Sequence, residues 1–210
     1  FDLREEAVSV AQILYATLWG QGLWRSLDAG LTWTQVATPG IPTTGMNRGA
    51  VTWTAANTAY TYVLFSRADN NQLMGIYRTT DGANSWTTLP VPWELMYGQG
   101  TYNCVISASP TNANLVLAGG GILARSTDGG SNWTNVTQTN GWQLHVDNHA
   151  IAWNSTGTDV CVGNDGGYMH STDAGLTFDS SANFLPITQY YHIDAGVNDP
   201  SVIAGGSQDN

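Results

Sequence analysis

The octapeptide Ser126-Thr127-Asp128-Gly129-Gly130-Ser131-Asn132-Trp133 occurs in four related copies along this chain of 210 residues. The other copies are Ser26-Leu27-Asp28-Ala29-Gly30-Leu31-Thr32-Trp33, Thr79-Thr80-Asp81-Gly82-Ala83-Asn84-Ser85-Trp86 and Ser171-Thr172-Asp173-Ala174-Gly175-Leu176-Thr177-Phe178. Successive aspartates are 53, 47 and 45 residues apart. A repeat of this length, flanked by short and partly β-branched apolar runs, is typical of a β-propeller with one four-stranded blade per repeat.

Each copy contains the residue types of a tight hairpin turn. The carboxylate is expected to accept hydrogen bonds from backbone N–H groups of the turn that follows; these residues are Asp28, Asp81, Asp128 and Asp173. A glycine two positions later suits a left-handed backbone conformation. The aromatic residue five positions after the aspartate is expected to pack against neighbouring strands; these residues are Trp33, Trp86, Trp133 and Phe178. We therefore expect all eight residues to be structural.

The octapeptide resembles the Asp-box, or BNR, repeat of sialidases, sortilin-like receptors and xyloglucanase-type glycoside hydrolases. This resemblance extends over essentially the whole chain and implies a propeller fold. In those families the repeats hold the blades together and take no part in the chemistry, so the repeat by itself implies no reaction.

The repeat predicts one all-β domain over residues 1–210, built from four-stranded antiparallel blades. The approximate blades are residues 1–40, 41–98, 99–141 and 142–185, followed by an incomplete blade at 186–210. Four and a half blades would leave an open edge in an architecture whose stability depends on closure. We therefore expect the remainder of a longer polypeptide, or a partner chain, to complete the ring.

The composition excludes some classes of partner. The chain carries a formal net charge of −10 and has no lysine, which argues against binding of nucleic acid through a basic surface. No apolar run is long enough to span a membrane. The acidic charge, the absence of lysine and the family resemblance together favour a secreted or cell-surface protein.

The residue directly before each octapeptide follows a pattern across the repeats. Arg25, Arg78 and Arg125 precede three of the octapeptides at equivalent positions, and His170 takes that position in the fourth, so we expect them to belong to the repeat architecture.

Two cysteines, at positions 104 and 161, fall in predicted strands of different blades, which is compatible with two buried thiols or with a disulfide.

A group of less repetitive polar motifs follows the third octapeptide. The motifs are His145-Val146-Asp147-Asn148-His149-Ala150, Gly163-Asn164-Asp165-Gly166-Gly167, Gln189-Tyr190-Tyr191 and Gly205-Gly206-Ser207-Gln208-Asp209-Asn210. Their order and spacing resemble a branch of bacterial Asp-box propellers, often described as glycosyl hydrolases and related to the sortilin-like domain. This second resemblance brings no established reaction with it.

The predicted blades place these motifs near one another. On an extended strand, His145, Asp147 and His149 would share one face because side chains alternate along a strand. Asp165 and Asp209 follow the second strands of consecutive repeats. We therefore expect the five side chains to converge at one mouth of the central channel, across the junction of blades four and five.

This polar group has several interpretations. It is a network that locks two blades together, or a ligand or metal site that also includes Gln208, or a catalytic site for which Asp147, Asp165 and Asp209 would supply the carboxylates. No cofactor is required. If a metal binds, a divalent cation held by Asp147 and one neighbouring histidine is expected from the residue types.

The residue inventory argues against a sialidase, which needs an arginine cluster and a tyrosine supported by a glutamate. Only Arg4, Arg48 and Arg67 lie outside the repeats. A xyloglucanase-like hydrolase would need two carboxylates about 6.5–9.5 Å apart if it inverts the anomeric configuration. In that family the two acids come from different propellers.

We therefore predict a non-catalytic extracellular or cell-surface propeller that binds a protein or a glycan as a segment of a larger protein. Exposed tryptophans could stack on sugar rings; the candidates are Trp19, Trp53, Trp93 and Trp142. One alternative is a glycoside hydrolase acting on a β-glucan such as xyloglucan. Another is a structural subunit of an extracellular assembly.

Overall fold

The computed structural model describes residues 13–91, 93–139, 142–179, 190–195 and 203–207, which form strands and turns but no helix. Among them, therefore, no helix is long and apolar enough to cross a membrane. The strands are β1 (Leu14–Leu18), β2 (Gly22–Ser26), β3 (Thr34–Gln35), β4 (Met46–Trp53), β5 (Thr61–Arg67), β6 (Leu73–Thr79), β7 (Thr87–Leu89), β8 (Val105–Ala108), β9 (Val116–Gly119), β10 (Leu123–Ser126), β11 (Thr134–Asn135), β12 (Gln138–Thr139), β13 (Trp142–Gln143), β14 (Asn148–Trp153), β15 (Val160–Asn164), β16 (Gly167–Ser171), β17 (Tyr190–Ala195) and β18 (Ile203–Ser207).

The main sheets are antiparallel meanders in which strands adjacent in sequence are adjacent in space. Strands β4–β7 form blade two and β8–β11 form blade three, each with four strands. Blade one (β1–β3) and blade four (β14–β16) have three described strands, and a bridge between His170 and Asp179 continues blade four. Strands β17 and β18 pair with each other, as do β12 and β13. The predicted all-β propeller-type fold is confirmed, whereas the predicted blade limits stay a prediction.

Apolar clusters fill the three interfaces between successive blades. Representative buried side chains are Leu23, Val63 and Phe65 between blades one and two, Tyr62, Ile106 and Val116 between blades two and three, and Leu117, Val160 and Val162 between blades three and four. Burying one such side chain contributes about 1.5–3 kcal/mol. The blades are therefore held to one another mainly by apolar packing.

Strand β5 shows how one strand serves two interfaces. Tyr62 and Leu64 pack towards blade three, whereas Val63 and Phe65 pack towards blade one. Neighbouring residues on a strand point to opposite faces, so β5, which lies between two interfaces, is apolar at four consecutive positions.

The four octapeptides form the same hydrogen-bonded turn, called the box turn below. In the third, Asp128 Oδ1 accepts the backbone N–H of Asn132 at 2.9 Å and the hydroxyl of Ser126 at 2.9 Å, while Oδ2 accepts the Asn132 side chain at 2.7 Å. The equivalent three bonds form at Asp28, Asp81 and Asp173. The carboxylate therefore bridges both ends of each turn.

These bonds predict acid-sensitive stability. Hydrogen bonds, first of all from the side chain four residues later, lower the pKa of Asp28, Asp81 and Asp128 from 3.8 to about 2. A depressed folded-state pKa contributes stability that is present above the unfolded-state value and is lost as the pH falls through the folded-state value. We expect the urea concentration at the midpoint of unfolding to decrease as the pH is lowered from 4 to 2. Replacing the three residues with asparagine should flatten that profile, and an unchanged profile would contradict the expectation.

In blades one, two and three, an arginine binds the box turn of the next blade. Arg25 Nη1 donates to the carbonyl of Gly82 at 3.2 Å, Arg78 Nη1 to that of Gly129 at 2.6 Å, and Arg125 Nε to that of Ala174 at 2.9 Å. Each acceptor directly follows the box aspartate. These bonds, called the arginine latches below, place all four box turns on one face of the blades, as expected from the repeat.

The aromatic residue of the box turn is buried where a preceding blade covers it. Trp86, Trp133 and Phe178 are buried in the three interfaces between blades. Trp33 is 38% exposed, because no blade precedes blade one among the residues described by the structure. The expectation that Trp33 packs between strands is therefore not met within the described part of the chain.

Both cysteines are thiols. Cys104 is buried immediately before β8, and Cys161 is half-buried in β15.

Candidate functional site

The face opposite the box turns, called the loop face below, carries the sequence-predicted polar residues. It is formed by the turns that join β1 to β2 (19–21), β5 to β6 (68–72), β9 to β10 (120–122) and β15 to β16 (165–166), and by the segments that enter β4, β8 and β14. Successive turns of a meander alternate between its two ends. Residue Asp165 lies in the last of these turns, and His145, Asp147 and His149 lie in or beside the segment entering β14.

Asp165 is the centre of a hydrogen-bonded group on this face. The hydroxyl of Tyr102 lies 3.0 and 2.9 Å from its two carboxylate oxygens, and Nε2 of His149 lies 2.7 Å from Oδ1. Because an ionised carboxylate only accepts hydrogen bonds, this contact is a hydrogen bond in the histidine tautomer that has its proton on Nε2. The Asp165 side chain is 8% exposed, against 26% for His149, so the carboxylate lies behind its partners.

The two donors also contact each other. The rings of Tyr102 and His149 meet edge to face, with centroids 4.7 Å apart and planes at 78°. Aromatic rings favour this geometry. The three side chains Tyr102, His149 and Asp165, called the mouth cluster below, therefore form one mutually positioned unit.

The backbone before β14 differs from the extended strand predicted there. Asp147 has a φ of 64°, β14 begins at Asn148, and its pairing with β15 shifts register between Asn148 and Ala150. A left-handed residue and a bulge both interrupt the alternation of side chains. The prediction that His145, Asp147 and His149 share one strand face is therefore wrong.

Asp147 and His145 contact other segments. Asn103, which is buried, donates from Nδ2 to Asp147 Oδ1 at 2.5 Å. A Cβ on Gly166 would lie 2.5 Å from the Cβ of His145, so the turn carrying Asp165 can approach His145 only because residue 166 is glycine. Both contacts help to fix the loops around the mouth cluster.

The contacts of the described residues join blade four to blade three. Tyr102 and Asn103 come from the segment that enters β8 of blade three, and their partners belong to blade four. The expected lock between blades four and five stays a prediction, because Gln208 and Asp209 lie outside the described residues.

A metal site of three or more ligands is not formed by the part of the chain that the structure describes. No group of three histidine, cysteine, aspartate or glutamate side chains lies close enough there to hold an ion. The His149–Asp165 pair supplies two such side chains.

A cavity of about 100 Å³ lies beside the mouth cluster, between β1, β4, β8 and β14. Its lining includes Thr17, Trp19, Arg48, Cys104 and His149. Arg48 donates from Nη1 to the carbonyls of residues 101 and 102 at 3.1 and 2.6 Å, so its guanidinium is held in place at the wall. Sequence reasoning left Arg48 and Tyr102 out of the candidate site.

Trp19 is a fixed but exposed side chain at the edge of this cavity. It is 55% exposed, and its indole Nε1 donates to Asn47 Oδ1. Asn47 in turn donates from Nδ2 to Asn71 Oδ1 at 2.9 Å. This chain of bonds holds the indole ring in place while more than half of the residue stays exposed to solvent.

Other loop-face carboxylates among the described residues have structural partners. Glu94 Oε1 accepts the backbone N–H groups of Leu73 and Met96 at 3.0 and 2.9 Å. Asp69 accepts both Nε and Nη2 of Arg67. These two side chains therefore stabilise turns.

Solved structures with the same fold include glycoside hydrolases. The GH74 xyloglucanase from Xanthomonas campestris matches with a TM-score of 0.66 at 16% identity, over 90% of this chain and 31% of that protein. The GH74 enzyme of Niastella koreensis matches with a TM-score of 0.63 at 19% identity, over 81% of this chain and 28% of that protein. The chain thus spans less than a third of the length of these enzymes.

A structure of YCF48 bound to D1 peptide also matches, with a TM-score of 0.56 at 12% identity, over 95% of this chain and 60% of that protein. Identities this low show the fold alone. No protein-family profile matches the chain, and no curated protein matches it.

Proposed function

We propose that this chain is a segment of a secreted or cell-surface propeller that binds a glycan or a protein through its loop face and catalyses no reaction. The mouth cluster beside the cavity supports this proposal most strongly. Fixed aromatic and hydrogen-bonding side chains around a concave surface are the features of ligand sites. The acidic charge and the absence of lysine fit an extracellular location.

A glycan suits the mouth better than a protein segment does. Trp19 and Tyr102 are 55% and 42% exposed, and both are held by hydrogen bonds through their polar atoms. Their rings can therefore contact the apolar face of a sugar without losing conformational freedom on binding. The His149–Asp165 pair lies close enough to Tyr102 to exchange hydrogen bonds with sugar hydroxyls.

Binding without catalysis is supported by the hydrogen bonds that two candidate carboxylates, Asp147 and Asp165, accept from other side chains. Asp165 accepts bonds from two side chains and Asp147 accepts one from Asn103. A hydrolase needs one carboxylic acid to donate a proton and a second carboxylate to act on the opposite side of the bond. The proposed binding function requires no metal.

Titration against an array of plant and microbial polysaccharides tests this proposal. We expect at least one to bind, and Tyr102→Ala to weaken that binding about tenfold because it removes both a ring and a donor to Asp165. Tyr97→Ala is the matched control, since Tyr97 is an exposed tyrosine of the same interblade segment but lies outside the mouth cluster. Binding should survive chelation of divalent cations. Absence of glycan binding, or equal effects of the two variants, would count against the proposal.

The second candidate function is glycoside hydrolysis. The fold likeness to GH74 enzymes favours it. In the same array, release of reducing ends from xyloglucan by the purified chain, abolished by Asp165→Asn or Asp147→Asn, would support the hydrolase over the binding module.

A further inference from the structure

The outer face of blade one, which points away from blade two, has the features of an interface between blades. On β1, Leu14, Ala16 and Leu18 lie on this face, because Tyr15 on the alternate side packs towards blade two. All three are half-buried. The side chains that strand pairing places at equivalent positions in the next three blades are buried against the preceding blade; they are Val63, Phe65, Val116, Ala118, Val160 and Val162.

The box turn of blade one differs from the other box turns on the same side. Trp33 is 38% exposed, against 6% for Trp86 and 8% for Trp133, which preceding blades cover. The carbonyl of Ala29 is at the position that receives an arginine latch in the other three box turns. It accepts no hydrogen bond from the part of the chain that the structure describes. A strand face and a box turn therefore both indicate that a further blade packs on this side of blade one.

The acceptor in the box turn defines the chemistry of that blade. A carbonyl that becomes buried needs a donor, and the three observed junctions all supply an arginine from the position directly before a box turn. A second copy packed through its blade four would present His170 there instead, and the arginines of its other three blades already bind carbonyls. We propose that the outer face of blade one binds another blade of the same propeller ring, whose arginine donates to the carbonyl of Ala29 and whose apolar side chains cover Trp33.

Blade three is a matched substitute for this partner. The first and fourth box turns share the sequence Asp-Ala-Gly-Leu-Thr, and Ala29 and Ala174 both have a φ of 59°. Blade three covers the fourth box turn, and its Arg125 donates to the carbonyl of Ala174 at 2.9 Å. A second copy of residues 99–141, called the added blade below, should therefore fit the outer face of blade one.

The test joins the added blade through a short Gly/Ser linker to residue 1 of the complete chain. We expect the backbone N–H of Thr32, which Asp28 accepts at 2.8 Å, to exchange about tenfold more slowly in this fusion than in the chain alone. In oxidative footprinting, Trp33 should become as resistant as Trp86. Arg125→Met in the added blade should remove most of the protection of Thr32, and so should Arg125→His, which reproduces the residue type of blade four.

Sedimentation of the chain alone separates the proposed partner from a second copy. We expect a monomer with a reactive Trp33, whereas a dimer in which Trp33 is protected would overturn the inference. A compact fusion in which Trp33 stays reactive would also overturn it, as would equal protection with methionine and with arginine. If this fusion does not fold, a copy of blade two (residues 41–98) replaces the added blade, because its Arg78 makes the equivalent bond. Failure of both fusions to fold would count against the outer face as an interface between blades. The proposed glycan binding is unaffected by any of these results, since the mouth cluster is formed by blades three and four.

Discussion

Replacing Gly40 with alanine is expected to lower the free energy of unfolding by about 3 kcal/mol. Gly40 has a φ of 89°, and a Cβ there would lie 1.8 Å from the carbonyl oxygen of Trp86 and 2.7 Å from its carbonyl carbon. Both obstacles are backbone atoms, so no side-chain rotation relieves the clash. Nearby, the N–H of Trp86 donates to the carbonyl of Pro39 at 2.9 Å. The junction between blade one and the second box turn would therefore have to open.

Gly82→Ala is the matched control for this prediction. Gly82 has a φ of 71°, but a Cβ there would meet nothing within 4 Å. The equivalent position is already alanine in the first and fourth box turns, where Ala29 and Ala174 both have a φ of 59°. We expect a cost of about 1 kcal/mol or less, from backbone strain alone. Urea denaturation of the two variants measures the difference, and similar losses would show that the contact with Trp86 is unimportant.

The fold was predictable because the repeat reports on local structure. The hydrogen bonds of the four box turns join residues at most four positions apart, so spacing and residue type suffice to identify these turns. Reasoning from local sequence gave the wrong expectation for Trp33, because its burial depends on whether another blade packs against the outer side of blade one. It also failed at Asp147, where a left-handed residue interrupts a segment that reads as an extended strand.

The candidate site was predictable only in part because its contacts are distant in sequence. His149 and Asp165 belong to adjacent strands and a turn of one blade, so a hairpin brings them together. Tyr102 is 63 residues from Asp165, and Arg48 contacts the carbonyl of residue 102 across 54 residues. No periodic signal marks either residue, although Arg48 is one of three arginines outside the repeats.

The arginine latches show how a repeated residue can be recognised before its partner is known. Equivalent positions in three repeats indicate a shared role for Arg25, Arg78 and Arg125, and each binds a carbonyl of the next box turn. In the fourth repeat, Nδ1 of His170 instead lies 3.9 Å from an oxygen of Asp179 in its own blade. The junction after blade four therefore lacks an arginine latch among the described residues.

Arg78→Met is expected to lower the free energy of unfolding by about 2 kcal/mol, the usual range for a hydrogen bond to a charged donor. Methionine retains most of the side-chain volume, so the loss reports on the 2.6 Å bond to the carbonyl of Gly129 and on the buried acceptor left without it. Arg67→Met is the matched control, because both side chains of the Arg67–Asp69 pair are exposed and exposed ion pairs contribute little to stability.

The two variants should also differ in the amide hydrogen exchange of the box turn of blade three. A latch connects two blades, so its loss should make the box turn of blade three exchange its amide hydrogens faster, first of all the N–H of Asn132 that Asp128 accepts. Loss of the Arg67 pair should leave those amides protected, since it lies within one turn on the opposite face. Equal destabilisation by both variants, with unchanged exchange in the box turn, would show that apolar packing alone holds blades two and three together.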